Sequence, residues 1–181
     1  MGDPHRKDRY GEVWPQERID AYLEVLERLK AHVVISGGWA WHFMSPPDHT
    51  EYKHAHDHKD VDLFVDPRAI HLGTVIHLLM EMGFERVPCR WTSEDFWRYE
   101  KHVKRGAKRY KLTIDFFLDT VGVPQRLVAG GWRVVSPDWL LSMYSQKHTS
   151  RECFAVTAAR RLLGDGIDPV DHPSLAVIPE E

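Results

Sequence analysis

The chain has 181 residues, 43% of them hydrophobic, a formal charge of −3, and seven Trp and seven Phe to fill a core. That length suits one ordinary domain or a core with a small appendage, and the near balance of charge excludes a global drive toward nucleic acid or membrane. No apolar run nears the roughly 20 residues of a membrane span, the polar start lacks a secretory h-region, and Cys89 and Cys153 stand apart without CxxC spacing.

The expectation is a soluble, cytoplasmic protein with two reduced thiols. Residues 1–14 read as a loose start. Ile19, Tyr22, Leu23, Leu26 and Leu29 then recur at spacings of three and four, which predicts an amphipathic helix over 15–31. Val33–Ser36 is a short strand, and Gly37–Met44 follows as a helix that Pro46 and Pro47 end. A polar loop over 45–59 holds His54, His56 and His58, and 60–65 is a strand. Asp66 is a good N-cap with Pro67 at the first helical position. Ile70, Val75, Leu78, Leu79 and Met82 supply the apolar stripe of that helix, and Gly83 terminates it. Phe84–Trp91 and Trp97–Lys104 read as strands, with Gly106-Ala107 turning into a well-alternating strand at 109–118. A polar connection over 119–131 leads to a strand at Trp132–Val135 and a helix from Ser136-Pro137 to Lys147. A second helix over 150–163 stops at Gly164, and 165–181 is an extended tail. This order predicts an α+β or α/β core over 15–122, with the strand and helices of 123–164 packed on it.

Three aspartates carry the chemistry. In a strand, residues i and i+2 point to one face, so Asp60 and Asp62 project together while Val61, Leu63 and Val65 oppose them. Two carboxylates so close repel each other unless a cation neutralises them or one is protonated, and a hard divalent ion with oxygen ligands is the natural partner. Asp115 likewise opposes Leu112, Ile114 and Phe116. Were its strand to lie beside 60–65, three carboxylates could hold two Mg²⁺ ions that align a triphosphate and activate a hydroxyl, with Asp115 also the candidate base. Upstream, Gly37 and Gly38 follow a strand and open a helix, where bare backbone N–H groups can seat an anion.

The set GGWA at 37–40, HKDVDL at 58–63 and TIDFF at 113–117 resembles the nucleotidyltransferase superfamily, with its DNA polymerase beta-like fold. It looks closest to the branch of lincosamide and aminoglycoside nucleotidyltransferases. The resemblance implies a small mixed sheet flanked by helices, with a short C-terminal helical segment. It implies two Mg²⁺ ions on Asp60, Asp62 and Asp115, and transfer of a nucleoside monophosphate, AMP first, from an NTP to a hydroxyl of an antibiotic-like small molecule. It also implies that Ser36, Gly37, Gly38, His58 and Lys147 serve the nucleotide. A toxin-like transfer to tRNA or protein is the alternative within the enzyme class, and a non-catalytic nucleotide-binding module is the alternative outside it.

Other features have plainer readings beside the functional ones. The run His54, His56, His58 lies one residue short of the HxHxDH motif of metallo-β-lactamase-type hydrolases; a zinc site is its rival to a solvated rim of the nucleotide site. Trp39 and Trp41 fit a core more readily than a base platform. Lys101, Lys104, Arg105, Lys108, Arg109 and Lys111 crowd one turn, either as a solvated hairpin or as a basic lip for triphosphate, an acidic acceptor or RNA.

Overall fold

The structure, a computed structural model, describes residues 15–44, 60–90, 93–120 and 122–147. The His54–His58 run, Cys153, the expected helix over 150–163 and the tail lie outside them. The described residues fall into two compact units, one of 15–35 with 60–90, 93–120 and 122–123, the other of 36–44 with 124–147.

The first unit begins with helix α1 (Gln16–Leu29), whose Ile19, Tyr22, Val25, Leu26 and Leu29 are buried at the expected helical spacing. Strand β1 (Val34–Ser36) starts here with Val34 and Ile35. Then come β2 (Val61–Val65), helix α3 (Ala69–Glu81), β3 (Glu85–Val87), β4 (Phe96–Arg105) and β5 (Lys108–Leu118). These strands form a mixed sheet in the order β3-β4-β5-β2-β1, with β2 parallel to β5 and β3 and β4 antiparallel to their neighbours. The fold class is α+β, a mixed sheet flanked by helices, as the sequence predicts.

Alternation decides which sheet face is covered. Val61, Leu63, Val65, Ile114 and Phe116 share one face, and all are fully buried. Helix α1 packs on β5, α3 packs on β2, and the two helices touch each other. Each large apolar side chain so buried contributes roughly 1.5–3 kcal/mol relative to exposure.

Two local readings change. Asp66 does not cap α3: its carboxylate accepts the Arg68 backbone N–H at 2.9 Å and its guanidinium at 2.8 Å. This local turn delays the helix to Ala69, with Arg68 in the cap position and no side-chain cap. Ile70 therefore sits in the first turn at 74% exposure, and the buried stripe narrows to Val75 and Leu79.

In the second unit Ser36 leads into helix α2 (Gly37–Met44), and β6 (Gln125–Val128), β7 (Trp132–Val135) and α4 (Pro137–Lys147) follow later in the chain. β6 occupies part of what the sequence reads as a polar connection. It is a real strand, antiparallel to β7 with Val128 opposite Trp132. Phe43 of α2 stacks on Trp132 with ring centroids 4.3 Å apart. Trp39 and Trp41 are fully buried, which supports the core reading for both.

Candidate active site

β2 and β5 run side by side in parallel, with Asp62 directly opposite Asp115 and Phe64 opposite Phe117. Both aspartates thus lie on the sheet face opposite the fully buried Val61, Leu63 and Ile114. Asp60 immediately precedes β2, two residues before Asp62. On the other flank of β5 the antiparallel register sets Arg98 of β4 directly opposite Asp115. The row across three strands is therefore Arg98, Asp115, Asp62.

The Arg98 guanidinium makes a two-pronged contact with Asp115, Nε to Oδ1 at 2.6 Å and Nη2 to Oδ2 at 2.6 Å. Its Nη2 also lies 3.8 Å from Oδ2 of Asp60. The Asp115 side chain is 7% exposed and that of Arg98 26%, so little water screens the pair. The Asp115 hydrogen bonds, foremost, hold the Arg98 pKa above its already high ordinary value, against the opposing pull of burial. The guanidinium thus serves Asp115 closely and Asp60 at longer range, with Asp62 next to Asp115 in the row.

Arg98 is the residue that motif reading misses. The signal was nonetheless present: from the Gly106-Ala107 turn, counting seven residues back along β4 from Arg105 and seven forward along β5 from Lys108 pairs Arg98 with Asp115.

A second anchor lies beneath β5. β2 begins at Val61, opposite Ile114, and the Tyr22 hydroxyl engages the backbone of the preceding β5 residue, Thr113. It accepts the Thr113 N–H at 2.9 Å and approaches the Thr113 carbonyl at 3.4 Å. Burial pushes the Tyr22 pKa up to about 12, the Thr113 backbone bond opposing. Helix α1 is thereby tied to the strand two residues from Asp115.

A divalent ion is implied by the motif, and the donors present can be tested for it. All-oxygen carboxylates are the right type for Mg²⁺. Asp62 and Asp115 are in register on adjacent strands, where Cα atoms lie about 4.8 Å apart. Among the described residues, however, no three His, Cys, Asp or Glu side chains converge as a metal cluster, and the cation that serves Asp115 is Arg98. The residues fit such an ion in donor type and backbone placement, provided the guanidinium yields at least one Asp115 oxygen.

The other expected residues that the structure describes are not on β2, β4 or β5. Ser36 is 3% exposed at the end of β1, and Gly37 opens α2 with φ +63°. The chain switches there from strand to helix without a loop, a left-handed step that glycine takes without steric penalty. These residues and Gly38 belong to the second unit. Lys147 is the last residue of α4, and His58 lies outside the described residues.

No family model matches the chain, and no curated protein matches its sequence. Two solved structures from Helicobacter pylori are similar in fold. One, provisionally described as a nucleotidyltransferase, is 13% identical, with 85% of this chain and 70% of the other covered at a TM-score of 0.56. The second, JHP933, is 12% identical over 85% of this chain and 68% of its own, with a TM-score of 0.53. The fold is nucleotidyltransferase-like. At such identities the likeness is one of fold, and it does not separate the lincosamide and aminoglycoside branch from the rest. Among the described residues no helix is long and apolar enough to cross a membrane.

Proposed function

We propose that the chain transfers a nucleoside monophosphate from an NTP to a hydroxyl, with Asp60, Asp62 and Asp115 holding divalent cations. The observation that carries this reading is the register of Asp62 with Asp115 on parallel strands, beside an Asp60 that lies near the guanidinium paired with Asp115. Bound Mg²⁺ would supply charge neutralisation and polarisation of the phosphates. The acceptor oxygen attacks the α-phosphorus, an O–P bond forms, the bond to the β-phosphate breaks, and pyrophosphate leaves. Asp115 takes the hydroxyl proton, as its place at the centre of the row suits it to do. Arg98 limits charge repulsion among the carboxylates and orients Asp115 through its paired hydrogen bonds. By the motif resemblance, backbone N–H groups at Gly37 and Gly38, with Ser36, His58 and Lys147, serve the triphosphate; ATP is the first nucleotide to try, and an antibiotic-like small molecule the first acceptor.

The test combines protein, Mg²⁺ and each labelled NTP with a panel of aminoglycoside, lincosamide and tRNA acceptors. One labelled acceptor and stoichiometric pyrophosphate are expected, and both should vanish in Asp62→Asn and Asp115→Asn proteins. Absence of product with every acceptor, together with no NTP-dependent shift in melting temperature, would remove the enzymatic reading.

A further inference from the structure

The outer half of the β4–β5 ribbon has a charge arrangement that folding does not explain. β3 pairs with β4 only as far as Glu100, and β2 meets β5 only from Ile114 onward. Residues 101–105 and 108–112 therefore pair with each other alone in the first unit. The antiparallel register sorts their side chains cleanly. Lys101, Val103 and Arg105 share a face with Leu112, Tyr110 and Lys108, the face that carries the buried Ile114 and Phe116. His102 and Lys104 share the opposite face with Lys111 and Arg109, the face that carries Arg98, Asp115 and Asp62.

The two faces treat their cations differently. On the helical side Lys101 donates to the Met82 carbonyl at 3.0 Å and lies 4.9 Å over the Phe84 ring, and Arg105 pairs with Glu24. Tyr110 donates to Glu17 at 3.3 Å on the same side. On the carboxylate side Lys111 is bridged to Glu100 at 3.1 Å. Beyond it Lys104 stands directly opposite Arg109, both exposed, and neither has a carboxylate partner among the described residues. Like charges directly opposite in a sheet are destabilising. Among the described residues no carboxylate offsets that repulsion; an anion would.

We propose that this face is a phosphate track for the single-stranded end of an RNA acceptor, leading its terminal hydroxyl to Asp60, Asp62 and Asp115. The choice of acceptor rests on the transfer reading above, whereas the binding does not. Six residues of strand separate Arg109 from Asp115, about 20 Å. A triphosphate seated at the carboxylates is much shorter than that distance, so the tip cations are left for another molecule. A polycationic aminoglycoside is repelled by Lys104 and Arg109. An RNA strand places several phosphates along such a length, and its terminal ribose presents the hydroxyl that the reaction consumes.

The experiment uses the full chain without nucleotide or metal, which separates binding from transfer. A fluorescein-labelled single-stranded RNA of twelve nucleotides, about the site size of such tracks, is titrated by anisotropy at several salt concentrations, beside DNA of equal length and poly-glutamate. RNA is expected to bind with an affinity that falls with salt. Replacing both tip cations (Lys104→Gln with Arg109→Gln) should weaken binding at low salt at least tenfold and reduce the log–log salt slope by about 1.4, at roughly 0.7 per phosphate contact. Lys101→Gln, on the helical face, should leave that slope unchanged, and Asp62→Asn should leave RNA binding intact while transfer is lost. The double variant should melt at the same temperature as the natural chain or higher. The proposal is overturned if RNA does not bind, if the double variant binds as well as the natural chain, if poly-glutamate or DNA alone is preferred, or if the double variant melts lower.

Discussion

The inner and outer halves of the β4–β5 ribbon both set cations against a neighbouring strand, to opposite ends. In the inner half Arg98 is committed: both prongs are spent on Asp115, and the pair is shielded from water. At the tip Lys104 faces Arg109 across the same ladder with no acidic partner among the described residues. Residue type does not distinguish the halves; the residue across the ladder does. A cation that answers a buried carboxylate maintains the fold, and a cation that answers another cation is available to a ligand.

The largest test of that contrast is Arg98→Met. It leaves the Asp115 carboxylate buried without its donor, and breaking such a pair from one side destabilises by about 3 kcal/mol. Chemical denaturation should show the loss. If Asp115 also accepts a divalent ion, Mg²⁺ or Mn²⁺ should recover more stability in the variant than in the natural chain, because no guanidinium competes. Equal stability of variant and natural chain would make the two halves of the ribbon alike.

Next in size is Tyr22→Phe, which strips the hydroxyl from the backbone of Thr113 and should destabilise by about 1–3 kcal/mol. It also has a pH signature. The Tyr22 pKa stands at about 12 in the folded chain against an ordinary 10.0, so between those values the folded state retains a proton that the unfolded state has lost. That contribution is complete below pH 10, and up to about 3 kcal/mol disappears as pH rises toward 12. Denaturation midpoints at alkaline pH should therefore fall less steeply in the variant. The smallest effect belongs to the tip: Lys104→Gln alone should change stability by no more than about 0.5 kcal/mol, in the stabilising direction. A larger loss in thermal melts would mean that the tip cation has a structural partner after all.

How much of this was legible in the sequence depends on the range of the forces involved. The alternation around Asp60, Asp62 and Asp115 is local, and it placed each aspartate opposite its apolar neighbours. The parallel pairing that brings Asp62 against Asp115 is long-range and entered the sequence reading only as a condition. Arg98 was recoverable, since a two-residue turn with Gly106 at φ +58° sets the hairpin register. It was missed because its strand shows no clean apolar alternation around it. β6 was missed for a related reason: its Gln125, Arg126 and Leu127 are all half-buried, and its pairing rests on β7 across a glycine turn. Ile70 failed because the local turn at Asp66 shifted the start of α3, and helical periodicity predicts a face only once the first residue is right.

The separation of Arg98 from Asp115, 17 residues, has a kinetic consequence. A hairpin of that reach closes in about 1–10 μs, well before a parallel pairing that must draw in a segment from far along the chain. A hairpin that closes first would bring Asp115 to its guanidinium before β2 is placed. Asp60 and Asp62 would then dock against a strand whose charge is already shielded rather than against a bare carboxylate, and Arg98→Met should slow refolding as well as lower stability, a loss that stopped-flow refolding measures.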